Sequence, residues 1–263
     1  SNGYLSLYEV NGLSVLNEGA QLTPNFWRAP TDNDMGAGLQ KRYLAWKNPE
    51  IKLTSLEHST EGELVVVTAK YDMPSVSAKL TLTYRIDKQG AIEVTQSMTT
   101  DKNAKVSNMF RFGMRTELNK QLANIQYYGR GPIENYWDRK NAAYVGLYKN
   151  TVTGMEEAYV RAQSMGNRDD VRWLTLKSLD NQGIRITSKD HLNFSALHFT
   201  DSELWGLTYG HDLDNIRRAE VILSLDCIQR GIGNGSCGPG PRPHYEIEKN
   251  KDYSYSFRIE NAK

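Results

Sequence analysis

Apolar and polar residues alternate with a period of two along most of this chain, and that pattern leaves little room for anything except antiparallel sheet. Residues 79–86 show it cleanly. Leu80, Leu82, Tyr84 and Ile86 fall on one face, and Lys79, Thr81, Thr83 and Arg85 on the other, as expected of a strand buried on one side. Comparable strands are predicted at 4–10, 64–71, 92–98, 109–116, 125–128, 174–176, 183–187, 194–199, 219–225 and 253–259. The first runs into Asn11-Gly12, a strong hairpin signal. Arg111 and Arg115, interleaved in the strand at 109–116, are placed to face a sugar cleft, but solvated side chains are the commoner case for strand arginines. Short strands spaced about every ten residues, with polar turns between them, indicate an all-β sandwich. Helical spacing is confined to 39–47, where Leu39, Tyr43, Leu44 and Trp46 suggest a short helix or a flap hinged on Gly36 and Gly38 and stopped by Pro49. With no internal repeat, low-complexity tract or linker, the reading is one domain over residues 1–263.

Charge narrows the function classes. The 263 residues carry 32 basic and 31 acidic side chains, a net charge of +1. A nucleic-acid face or an anionic-membrane patch needs a basic surplus, so neither partner is expected. No apolar run approaches the roughly twenty residues that span a bilayer. The chain starts abruptly on a strand without a signal peptide, which reads as a fragment and leaves the compartment open between cytoplasm and periplasm. Two cysteines, Cys227 and Cys237, make neither a disulfide framework nor a metal knuckle; a single bridge and two free thiols are both compatible. The histidines (His58, His191, His198, His211 and His244) form no zinc-type pair. No metal site is expected in this chain.

Three stretches concentrate chemistry. Residues 25–36, Asn-Phe-Trp-Arg-Ala-Pro-Thr-Asp-Asn-Asp-Met-Gly, combine aromatics, a proline, an arginine and two carboxylates. They read as a rigid loop presenting polar groups, or as a structural turn whose Asp32, Asn33 and Asp34 bond their own backbone. Around Pro132, Glu134 and Asp138 make a charged loop with Arg130 and Arg139. Two carboxylates are the minimum for glycoside hydrolysis, yet these two are more simply satisfied by the neighbouring arginines. Residues 231–243 hold five glycines and three prolines, a path rigid at some points and thin enough elsewhere for a ligand to approach the backbone. His211-Asp212 and His244-Tyr245-Glu246 are candidate proton-handling dyads. A nucleophile elbow and a dinucleotide fingerprint are both missing.

The run 28–34, Arg-Ala-Pro-Thr-Asp-Asn-Asp, resembles a signature of the C-terminal domain of family-two β-galactosidases. Tyr-Gly-Arg-Gly-Pro-Ile-Glu-Asn-Tyr-Trp-Asp-Arg at 128–139, Gly-Asn-Arg-Asp-Asp-Val-Arg-Trp at 166–173 and Gly-Ile-Gly-Asn-Gly-Ser-Cys-Gly-Pro at 231–239 follow in the family's order. The resemblance implies a large antiparallel β-supersandwich of the galactose-mutarotase type. It places the catalytic glutamates in a separate (β/α)8 barrel, so this chain holds no catalytic residue and is inactive alone. It implies a galactoside substrate, with Asp32, Asn33, Asp34, Gly36 and Cys237 at the pocket rim and Trp27 and Arg28 bracing the loop. Residues 37–46 correspond to the family's mobile loop, with Gly36 as its hinge. Cys237 stands where some relatives place a stacking tryptophan, which puts stacking in doubt. Ala162 and Ser164 replace a proline and a glutamate of the common pattern. No cofactor is expected in the chain; the intact enzyme's Mg or Na would be held mainly outside it. Partners implied are the remaining domains of the polypeptide, the barrel included, with homo-oligomers open. Two rival readings are a sugar-binding module displaying Trp137 or Trp46, and a mutarotase-like enzyme using His211 and Asp212.

Overall fold

The structure, a computed structural model, describes residues 2–233 and 240–262. β1 (Glu9–Val10) and β2 (Leu13–Ser14) form the hairpin expected at Asn11-Gly12, whose φ values of 51° and 81° are those of a tight turn between twisted strands. Little else of 4–10 is strand: Leu5 makes one bridge to Leu22, and Tyr4 stacks on Tyr71 at 5.5 Å. β3 (Thr23–Asn25) precedes two short helices, α1 (Asp32–Gly36) and α2 (Leu39–Arg42), and a 3-10 turn at Leu44–Trp46.

β4 (Lys52–Glu61), β5 (Leu64–Met73), β6 (Ala78–Ile86) and β7 (Ile92–Thr100) form an antiparallel meander. β8 (Arg111–Leu118), β9 (Asn124–Gly131), β10 (Tyr144–Thr151), β11 (Arg168–Lys177) and β12 (Gly183–Leu197) follow. After α3 (Asp201–Gly206) come β13 (Val221–Gln229) and β14 (Tyr253–Asn261). The expected strands at 183–187 and 194–199 are one long strand interrupted by a bulge at residues 188–191, where His191 turns left-handed (φ 62°): Val171 faces Leu192, while Trp173 faces Thr187.

That bulge is where the sheet forks. The first half of β12 pairs with β14 and leads through β7, β6 and β5 to β4. Its second half pairs with β13 and leads through β8 to β3. β11, β9 and β10 continue on the other side of β12. The period-two faces meet inside: Leu80, Leu82 and Tyr84 of β6 join Val94, Phe112, Ile186 and Phe257 in one buried cluster. Antiparallel sheet curled around this core is the all-β supersandwich architecture expected.

A second cluster of Trp27, Leu39, Tyr43 and Phe110 lies beneath α1 and α2. Trp27 meets Phe110 edge-on at 4.9 Å, and Tyr43 lies 5.0 Å from the same ring. Trp46 is likewise buried, against Phe26 at 5.4 Å with its indole N–H on the Ser107 carbonyl. It is therefore not an exposed sugar platform, and 37–46 is packed down by three apolar anchors.

Candidate functional site

The motif at 25–36 begins with an arginine that never reaches water. Arg28 is fully buried and grips Asp34 with both arms of its fork, Nε to Oδ2 at 3.0 Å and Nη2 to Oδ1 at 2.9 Å. Thr31 caps α1: its hydroxyl accepts from the Asp34 N–H at 3.2 Å, and Asp34 Oδ2 accepts from the Thr31 N–H at 3.0 Å. The loop expected here is thus a helix start. Asp34 also accepts from Arg230 Nη1 at 3.2 Å, and Arg230 forks onto Glu246 at 2.8 and 2.7 Å. Such a chain of buried and half-buried charges holds because each has a bidentate partner.

Arg28 also reaches across the fold to the start of the glycine-rich stretch. Its Nη1 donates to the Arg230 carbonyl at 2.6 Å and its Nη2 to the Gly231 carbonyl at 3.2 Å. Asn33 Nδ2 donates to the Ile232 carbonyl at 3.0 Å. From the other side, the Asp138 carboxylate accepts the Ile232 and Gly233 N–H groups at 3.0 and 2.9 Å. The backbone of 230–233 is therefore held by side chains of two motifs that lie far away in sequence. A methyl group on Gly231 would lie 2.6 Å from the Asp138 carboxyl carbon, so only glycine fits.

The other motifs interlock below. Glu134 accepts from the Gly166 N–H at 2.9 Å and the Tyr136 hydroxyl at 3.3 Å, and from Tyr159 and Arg139. Burial and that carboxylate push the Tyr159 phenol up to about 12. Asn167 donates to the Asn135 carbonyl at 2.7 Å and accepts from Gln229 at 3.3 Å. Ser164, at the position that departs from the family pattern, donates its N–H to the Ala29 carbonyl at 3.1 Å, and Gln163 accepts from the Asp32 N–H at 3.0 Å. A cavity of about 520 Å³, bounded by Ile133, Asp138, Arg139, Lys140, Glu157 and Tyr159, opens beside Asp138.

Behind the motif lies a cluster that sequence reading missed. Asp201, the first residue of α3, accepts from the Ala29 N–H at 3.1 Å and Asn25 Nδ2 at 3.4 Å. It stands 3.8 Å from Arg111, which stands 3.4 Å from Asp226. Arg111 is only 2% exposed, so the solvated arginine expected on β8 is a buried countercharge. Desolvation raises the Asp226 carboxyl to about 6, opposed by Arg111. One signal was available: Thr200 and Glu203 form a capping box, the same device as Thr31 and Asp34.

The expected site residues separate in space. Asp32 is exposed on the first turn of α1, and Asn33 is half-buried with its amide on the Ile232 carbonyl. Asp34 does not sit at a rim; it is sealed between two guanidiniums because its position in the capping box turns it inward. Gly36 is the last helical residue of α1, and the left-handed conformation falls on Gly38, with φ 70°. Cys237 lies outside the described residues; Cys227 is a free, half-buried thiol. Trp137 is half-buried and packs against the His244 and Tyr245 rings at 5.3 and 5.4 Å. His211 is 76% exposed, 3.6 Å from Asp212 on an open 3-10 turn. Among the described residues, no three His, Cys, Asp or Glu side chains gather within reach of one metal ion. Asp34, Glu134, Asp138 and Glu246 each accept from a guanidinium or a backbone N–H. Such an arrangement holds a shape and is poorly suited to proton transfer.

A family model described as β-galactosidase small chain matches residues 1–259. The β-galactosidase of Priestia megaterium is 29% identical over 212 residues, which is 80% of this chain and 20% of that protein. That of Lactobacillus delbrueckii subsp. bulgaricus is 33% identical over 194 residues, 72% of this chain and 19% of that protein. The chain thus spans about a fifth of the length of these relatives. Among solved structures, the galactose 1-epimerase from Lactobacillus acidophilus NCFM superposes with a TM-score of 0.50 at 10% identity, over 99% of this chain and 89% of that one. That likeness is one of fold.

Proposed function

The chain belongs to the β-galactosidase small-chain family, and from that premise we propose that it forms one wall of the sugar pocket of a longer β-galactosidase whose hydrolytic carboxylates lie elsewhere in the polypeptide. The observation that carries this reading is the clamp on residues 230–233. Arg28, Asn33 and Asp138, from two motifs, converge on four consecutive residues and fix the entry to the segment bearing Cys237. Rigid backbone next to exposed polar groups is how a scaffold presents hydroxyl-binding contacts. In this reading Asp32, Asn33, Gly36 and Cys237 face the galactoside, and Asp34 acts through Arg28 as a positioning group. The site's carboxylates are committed to structural partners, which supports placing the acid and the nucleophile in the rest of the enzyme, on a separate barrel.

The test compares turnover of a chromogenic aryl β-galactoside by the 263-residue chain and by a longer polypeptide containing it. The expected result is no turnover by the cooperatively folded chain, and turnover by the longer protein whose KM rises about tenfold on Asn33→Ala. Turnover by the chain alone, abolished by Glu134→Gln, would overturn the reading.

A further inference from the structure

The outer face of the sheet at β9, β10 and β11 carries a feature that the sugar-pocket reading does not use. Register places Leu147 opposite Tyr128, and Tyr128 opposite Trp173, in one row across three strands. Leu147 is 59% exposed, Tyr128 40% and the adjacent Val145 39%. β10 closes this branch of the sheet and, among the described residues, pairs with β9 alone, so its outer edge is an open template for contact.

Cations surround the row. Arg172 lies over the Tyr128 ring at 5.4 Å and Arg185 over the Trp173 ring at 4.7 Å. Lys149 follows Leu147 on the same face of β10. Among the described residues none of these three has a carboxylate within ion-pair reach. The Asp170 carboxylate on this face is taken by Arg130 and Lys140, and Glu260, opposite Arg185, is taken by Arg258 at 3.1 Å. The face is therefore apolar at its centre and positive around it.

We propose that this face docks an acidic, apolar-centred surface of the remaining polypeptide. The inference rests on the reading that the chain is part of a longer β-galactosidase. The relatives are about five times as long, which supplies the partner. Charge selects against the other occupants. Two copies meeting through this face would bring like charges together. A sugar chain would need bare aromatic faces, and here guanidiniums already cover one face of each ring. Leu147 and Val145 instead suit packing against side chains, with Tyr128 and its arginine as the anchors that interface centres favour.

The experiment is amide hydrogen exchange of peptides covering 124–151, measured on the 263-residue chain and on the longer polypeptide. The expected result is at least about tenfold slower exchange of the β10 amides in the longer protein, a protection that local covering confers. Arg172→Glu with Arg185→Glu removes that protection there, while leaving the melting temperature of the 263-residue chain unchanged. Leu179→Glu, at a residue 94% exposed, alters neither. Equal exchange in both proteins would overturn the proposal, and so would protection that appears in the short chain as its concentration rises. Because galactoside turnover by the longer protein is read separately, unprotected β10 in an active enzyme refutes this docking alone.

Discussion

Removing the carboxylate of Asp34 should cost far more than removing the one two residues before it. Asp34 is fully buried and carries Arg28 on both oxygens, with Arg230 on one of them. In Asp34→Ala two guanidiniums, 0% and 3% exposed, lose their shared anion. Breaking a buried pair from one side costs about 3–5 kcal/mol, and losing the capping box adds about 1 kcal/mol. The total of about 4–6 kcal/mol compares with a whole-domain stability of about 5–15 kcal/mol. Asp32→Ala, on the exposed first turn, should cost about 0.5 kcal/mol. Urea unfolding of the 263-residue chain measures both. The double variant Arg28→Met, Asp34→Leu should recover part of the loss, because it leaves no lone charge and Arg230 keeps Glu246, although the Arg230 and Gly231 carbonyls lose their donor; the cycle through the singles Arg28→Met and Asp34→Leu should give a coupling of about 3 kcal/mol. If Asp34→Ala and Asp32→Ala cost the same within 0.5 kcal/mol, the buried-network argument is wrong.

Asp138→Ala strips the acceptor from two backbone N–H groups; exchange of the Ile232 and Gly233 amides should accelerate, and stability should fall by about 1–3 kcal/mol. Gly113→Ala would set a methyl group 2.0 Å from Asp226 Oδ1, and overpacking should lower stability by about 1–3 kcal/mol or more in a denaturant melt. Asp226 should leave a mark on the pH profile. Its folded pKa, raised by desolvation to about 6, exceeds its unfolded value near 3.8. Between these values the folded state holds the extra proton, so this group's contribution falls as pH rises from about 4 to about 6 and is flat outside that window. Melts from pH 4 to 7 should show that slope in the parent chain and lack it in Asp226→Asn; identical slopes would remove Asp226 as its source.

The strands whose one face is buried, such as β6, were legible because core packing imposes alternation on the text. β10 was not: as an exposed edge it places Tyr144, Val145 and Leu147 in water, so its composition follows no inside–outside rule. β12 looked like two strands because the polar residues 188–191 bulge where the sheet forks. The motifs themselves were visible as unusual clusters, but their partners were not. The capping-box spacing from Thr31 sets Asp34 apart from Asp32 locally, but the second arginine that seals it lies at position 230 and nothing nearby announces it. Arg111 shows the same gap, reading as a solvated strand residue until Asp201 and Asp226 are brought to it.

The hold of Arg28 on the carbonyls of Arg230 and Gly231 joins residues about two hundred positions apart. Contacts of such separation close late, since the loop between them must be ordered first. During synthesis the guanidinium emerges long before the carbonyls and carboxylates it will serve, and it must wait in a partly formed sheet. A chain stopped before residue 230 could still pair β4 through β7, yet Arg28 would have no backbone to grip. The proposed pocket wall can therefore form only after residues 230–233 have been made, and its integrity reports that synthesis has passed them.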